Sequence, residues 1–68
     1  MDLKQLETFI KAVDYQNLTK VAEELQTTQP VISNTIKRIE KELDTQLFIR
    51  KGKTLYPSAQ GKLFYELA

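Results

Sequence analysis

Leu3, Leu6, Phe9, Ile10 and Val13 recur at helical spacing and form one apolar stripe. The spacing predicts a helix from about 3 to 14, ending before the polar connector Tyr15-Gln16-Asn17. Leu18, Val21, Ala22 and Leu25 make a second stripe over 18–25, and Asn17 suits its N-cap because its side-chain oxygen can accept from a free first-turn amide. Gln26-Thr27-Thr28 breaks the pattern. Thr28 is placed to cap a third helix over 29–43, with Pro30 in the first turn where a missing N–H is harmless.

The third helix is the most sharply patterned. On a wheel of about 100° per residue, Ile32, Ile36, Ile39 and Leu43 share a narrow arc. Opposite them fall Pro30, Asn34, Lys37 and Lys41, flanked by Ser33 and Arg38, while Glu40 and Glu42 sit nearer the core's edges. One face is aliphatic and the other is basic and polar.

Leu47-Phe48-Ile49-Arg50, then Lys51-Gly52-Lys53, then Thr54-Leu55-Tyr56 reads as a hairpin around a basic turn. A lone hairpin is marginal, so it must pack on the helices. Pro57 is expected to stop the second strand and Ser58 to cap a fourth helix. Leu63, Phe64 and Leu67 open a last apolar stripe that runs to the final residue without a C-cap. The expectation is a helix cut short and a longer parent protein. Gly61 is out of place in a helix, where Gly costs about 1 kcal/mol against Ala. Close packing under the hairpin is the expected reason.

Composition narrows the chemistry. At 68 residues one small domain is expected, burying only about 60% of its unfolded surface. There is no Cys and no His, which removes disulfides, thiolate metal sites and the commonest acid-base group. The lone glycines form no phosphate loop, the carboxylates lie on helix faces, and Ser33 has no base in any evident pattern. Neither catalysis nor a metal or cofactor is indicated. No apolar run approaches the roughly 20 residues of a membrane span, and the polar start is no signal peptide. The reading is a soluble, intracellular, non-enzymatic chain.

Net charge is only +1, but it is unevenly spread. Residues 1–27 carry Lys4, Lys11 and Lys20 against Asp2, Glu7, Asp14, Glu23 and Glu24. Residues 28–62 carry Lys37, Arg38, Lys41, Arg50, Lys51, Lys53 and Lys62 against Glu40, Glu42 and Asp44. The positive field gathers where a footprint on phosphate can form.

Taken alone, cations on an exposed helix are what solvation requires. Three features of the third helix point further. A short helix precedes it across a three-residue turn. Its N-terminal half offers Gln29, Ser33, Asn34 and Thr35, side chains that hydrogen-bond base edges, and Gln29 and Asn34 can pair bidentately with adenine. Its longer cations lie further along, where a docked helix would run past phosphates. Arg50, Lys51 and Lys53 make a wing able to reach an adjacent minor groove or its phosphates. Leu63, Phe64 and Leu67 suit either the core of so short a chain or, with the helix unfinished, self-association, and a two-fold dimer would space two reading helices by about one DNA turn or a multiple of it.

At these residues the chain resembles the N-terminal DNA-binding domain of the LysR-type transcriptional regulators of bacteria, over essentially its whole length. The family's opening is similar to Leu3-Lys4-Gln5-Leu6-Glu7-Thr8-Phe9. Its helix-turn-helix core is similar to Leu18-Thr19-Lys20-Val21-Ala22-Glu23-Glu24-Leu25, Thr28-Gln29-Pro30-Val31-Ile32-Ser33 and Ile36-Lys37-Arg38-Ile39-Glu40-Lys41-Glu42-Leu43. Its wing is similar to Gln46-Leu47-Phe48-Ile49-Arg50 with Gly52, and Ser58 to Gly61 opens its linker helix. The Gln-Pro-x-x-Ser and Leu-Phe-x-Arg elements at these separations are specific together.

The resemblance implies a mainly α, winged helix-turn-helix fold: a three-helix core, a short β-hairpin wing, and the start of a linker helix. It implies a DNA-binding domain over 1–57 and the start of a dimerisation helix over 58–68. It further implies a cytoplasmic repressor or activator, a homodimer on an inverted repeat in double-stranded DNA, and a small-molecule effector bound by a downstream domain. Gln29, Pro30, Ser33 and Asn34 would contact bases, Thr28, Lys37, Arg38 and Arg50 would serve phosphates, and Lys53 would be the wing's groove contact. Many relatives carry Arg where Asn34 stands, Ser for Thr28, Arg for Lys53 and a basic residue for Thr54, so base preference does not transfer. The alternative is a helical protein-interaction module with a basic docking face. Such surfaces centre on aromatic anchors, and this face has none.

Overall fold

The computed structural model describes all 68 residues. The first helix, α1 (Leu3–Tyr15), begins with a reciprocal cap. The Asp2 carboxylate accepts from the Gln5 amide at 2.8 Å, and the Gln5 side chain accepts from the Asp2 amide at 3.1 Å. The helix runs one residue past its expected end and closes on Gln16, whose φ is +52°.

α2 (Leu18–Glu24) is capped by Asn17 as expected, its side chain accepting from the Lys20 amide at 2.9 Å. It ends one residue early, because the chain turns left-handed at Gln26 (φ +54°) and the Thr27 amide reaches back to the Ala22 carbonyl at 2.9 Å. α3 (Gln29–Leu43) has the expected bounds, with Thr28 as its cap and Asp44 in the left-handed region behind it.

The hairpin is shifted from its expected register. β1 (Phe48–Lys51) pairs antiparallel with β2 (Thr54–Pro57), placing Lys51 opposite Thr54 and leaving Gly52-Lys53 as a two-residue loop. Gly52 alone in that loop has positive φ, +60°, which suits a type II′ turn. Leu47 stays out of the ladder. Its amide and that of Phe48 both donate to one carboxylate oxygen of Glu40, at 2.8 and 3.1 Å. Pro57 ends β2 rather than following it, opposite Phe48.

A further strand-like contact anchors the hairpin. The connector between α1 and α2 pairs with the free edge of β2 at Asn17 and Thr54. The Leu18 amide donates to the Lys53 carbonyl at 2.8 Å and the Leu55 amide to the Gln16 carbonyl at 3.0 Å. The hairpin is thus fixed on both sides, by α3 through Glu40 and by the α1–α2 connector.

α4 (Ala59–Leu67) follows the Ser58 cap, whose hydroxyl accepts from the Gly61 amide at 3.0 Å. The expected reason for Gly61 holds: it is buried against the Leu47 backbone, where a Cβ would overlap the Leu47 carbonyl oxygen.

Phe9 is the hub of the core. It is fully buried, with ring centroids 5.6 Å from Phe48, 5.0 Å from Phe64 and 6.5 Å from Tyr65. Such aromatic pairs are worth about 0.5–1.5 kcal/mol each beyond area burial. Leu18, Val21, Ile32, Ile36, Ile39, Leu47 and Leu55 fill the space between the helices and hairpin. In the stripes of α1 and α3, two members lie outside. Leu3, in the first turn of α1, is 82% exposed, and Leu43 sits on the rim at the end of α3.

Candidate nucleic-acid interface

The outer face of α3 is held in place from beneath. Ile32 and Ile39 are almost wholly buried and Ile36 nearly so, which turns the intervening polar positions outward. Pro30, Asn34, Lys37, Arg38 and Lys41 are exposed, and Gln29 and Ser33 are half-buried at the edges. The Thr28 hydroxyl lies 3.4 Å from the Val31 amide, so its oxygen is given to the cap and its proton remains free.

No lysine or arginine pairs with an acid. The one ion pair in the molecule joins the N-terminal amine to Glu42. Glu40 could have neutralised a neighbouring cation, but its hydrogen-bonding oxygen faces the hairpin amides instead. Lys37, Arg38 and Lys41 therefore stand outside any ion pair, on a face without aromatic side chains.

The wing is assembled differently from its sequence. Lys51 and Lys53 project from the turn, with the Lys51 ammonium 5.9 Å from the Tyr56 ring centroid. Arg50 does not join them at the tip. It folds back, Nη1 donating to Ser33 Oγ at 2.6 Å and Nε to the Gly52 carbonyl at 3.2 Å. The nine expected contact residues thus fall on α3, its cap and the wing that leans on it. Ser33, Lys37 and Arg50 line one cleft between helix and hairpin.

Sequence reasoning passed over Val31. It is 49% exposed in the first turn of α3, beside Pro30. Its position one residue after the N-terminal proline was the available signal.

The three expected dimerisation residues divide. Leu63 and Leu67 are 59% and 78% exposed. Phe64 instead turns inward and stacks edge-on against Phe9, so its principal contact is with the domain's own core. With Leu43 and Leu47 these side chains line a shallow apolar groove.

The Tyr15 hydroxyl donates to Glu24 at 2.9 Å and that of Tyr65 to Asp14 at 2.5 Å. Each bond, with the carboxylate's charge and some desolvation, raises the phenol's pKa above 10.0. No three His, Cys, Asp or Glu side chains cluster as metal ligands would. No helix is long and apolar enough to cross a membrane.

Comparison with known proteins matches residues 3–62 to the model of the bacterial regulatory helix-turn-helix proteins of the lysR family. The regulator CitR of Bacillus subtilis is 40% identical over 68 residues, covering 100% of this chain and 23% of CitR. The nitrogen assimilation regulatory protein Nac of Klebsiella aerogenes is 40% identical over 65 residues, covering 96% of this chain and 21% of Nac. The chain thus spans under a quarter of these curated relatives. The BenM DNA-binding domain, solved in complex with benA site 1 DNA, superposes with a TM-score of 0.91 at 34% identity, covering 98% of this chain and 75% of that one. BenM itself comes from Acinetobacter baylyi. The CbnR DNA-binding domain in its DNA complex gives 0.92 at 29% identity, covering 97% and 76%.

Proposed function

The chain belongs to the LysR family of bacterial regulatory helix-turn-helix proteins, and from that premise we propose that it is the sequence-specific DNA-binding domain of a transcriptional regulator. The observation that carries the proposal is the outer face of α3. Lys37, Arg38 and Lys41 stand there without acidic partners beside Gln29, Ser33 and Asn34, which can hydrogen-bond base edges.

In this reading α3 enters the major groove by its N-terminal half. Gln29 and Asn34 offer amides to base edges, and Pro30 and Val31 offer apolar contact to a thymine methyl. Thr28, Lys37 and Arg38 face phosphates. Lys53, on a wing tied to both α3 and the α1–α2 connector, reaches the adjacent minor groove or its backbone. Residues 1–57 form the reading unit, and 58–68 begin a dimerisation helix through Leu63 and Leu67. The partner is an inverted repeat in double-stranded DNA, bound by a homodimer whose effector binds elsewhere in the regulator. As in the rest of the family, the activity is regulation of transcription and not catalysis. Protein docking is disfavoured by the absence of any aromatic anchor on the face.

The test is selection from random DNA duplexes at two salt concentrations, with sequencing of what is retained. Enrichment of an inverted repeat, with affinity falling steeply as salt rises, is the expected result. No enrichment and a flat salt dependence would favour the protein-interaction module.

A further inference from the structure

Ser33 and Arg50 come from different elements, 17 residues apart, and meet at the edge of α3's outer face. A guanidinium carries donors only, so in their 2.6 Å contact the serine oxygen is the acceptor. The hydroxyl's own proton is unspent. Thr8 and Thr35, also inside helices, donate back to the carbonyl four residues earlier, at 3.0 and 2.8 Å. That is a common fate for a helical hydroxyl. Ser33 makes no such bond, and its single hydrogen bond is the one from Arg50.

Nothing competes for Arg50. It has no carboxylate partner, and Glu40, which lines the same cleft, is committed to the amides of Leu47 and Phe48. One guanidinium therefore holds a side chain of α3 and a carbonyl of the wing turn together.

We infer that Ser33 and Arg50 act as one reading unit, in which Arg50 is a positioning residue that makes Ser33 a hydrogen-bond donor to the base it meets. The inference rests on the DNA-binding role of α3. Arg50 occupies one lone pair of Ser33 Oγ, fixes its rotamer and polarises the O–H, because a bond from a charged donor strengthens the hydroxyl as a donor in turn. The base edge at that position must then present an acceptor: guanine O6 or N7, adenine N7, or thymine O4. The amino groups of cytosine and adenine are disfavoured. A lysine cannot substitute, since it lacks the planar fork that reaches Ser33 Oγ and the Gly52 carbonyl from one rigid group.

The test is binding-site selection with wild type, Ser33→Ala, Ser33→Thr, Arg50→Lys and the Ser33→Ala/Arg50→Lys double variant. Both positions are outside the core, and thermal melting verifies the fold of each variant. Ser33→Ala and Arg50→Lys are expected to lose preference at the same base pair by about two- to tenfold, and the double variant to lose no more than the worse single one. Arg50→Lys should keep the wild-type salt slope, and Ser33→Thr, which retains the hydroxyl, should keep the preference. The inference fails if Arg50→Lys retains the preference that Ser33→Ala loses, or if the two losses add. It fails equally if Ser33→Ala weakens all sequences alike, which would mark a phosphate contact. A wild type that selects no sequence would bring down the DNA-binding reading itself, and the coupling with it. A wild type that selects a site unchanged by Arg50→Lys would bring down the coupling alone.

Discussion

The α-carbon of Gly61 lies so close to Leu47 that a side chain there would overlap the Leu47 carbonyl oxygen. That carbonyl also accepts from the Ser58 amide at 2.9 Å, so the first turn of α4 is seated on the residue that leads into the wing. Two effects oppose each other in Gly61→Ala. Helix propensity favours Ala by about 1 kcal/mol. Overpacking against backbone, which cannot rotate away, costs about 1–3 kcal/mol or more. The second should win, and the urea midpoint should fall. A higher midpoint would show that α4 shifts freely relative to Leu47.

Gln26 sits in the turn between α2 and α3 with φ +54°. A non-glycine residue in this region costs about 1–2 kcal/mol, against the roughly 0.5–1 kcal/mol of extra chain entropy that glycine loses on folding. Gln26→Gly should therefore stabilise the domain, by up to about 1 kcal/mol in chemical denaturation. Unchanged or lower stability would mean that the glutamine side chain offsets its strained backbone.

The two tyrosine–carboxylate pairs make an alkaline prediction. Hydrogen bonds to Glu24 and Asp14 raise the pKa of Tyr15 and Tyr65 above 10.0 in the folded state. A group whose folded value is raised contributes stability that is present below its unfolded pKa and is lost as pH rises through the folded one. The contribution should thus fade above pH 10. Both groups are solvent-accessible, so the effect is small. The double variant Tyr15→Phe/Tyr65→Phe isolates the phenols. Its melting temperature should fall less steeply with alkaline pH than that of the wild type.

On α3, position and charge separate two roles. Asn34→Ala should relax base preference at one position of the selected site. Lys37→Ala should weaken binding to all sequences and flatten the salt slope by about one. Lys37→Ala altering base preference with the salt slope untouched would reverse the assignment.

Much of this was legible in the sequence, where local chemistry decides. Asn17, Thr28 and Ser58 cap the helices they were expected to cap, since a cap is settled within three residues. The Asp2–Gln5 box was equally local, and its Asp-x-x-Gln spacing was there to be read. The bounds of α3 followed from its aliphatic arc.

What escaped was set by distant partners. The hairpin register depends on Glu40 taking the amides of Leu47 and Phe48, and on the Asn17–Thr54 bridge, neither of which has a periodic signature. Arg50 sits among wing cations in sequence and turns to Ser33 only in three dimensions. Gln16, Gln26 and Asp44 adopt left-handed conformations without the glycine that would have announced them. Phe64 belongs to a short stripe, too short to tell its inward face from its outward one, and only the position of Phe9 decides.

The central claim is that α3 and the wing are the surface that meets DNA. Amide and side-chain NMR shifts of the labelled protein, followed during titration with a selected duplex, test it most directly. The largest changes should fall on Gln29 to Lys37, on Arg50 to Lys53, and on the Lys41 side chain, with Tyr15, Glu24 and Asp14 unmoved. Shifts centred on the acidic α1–α2 surface, or none at saturating duplex, would contradict it.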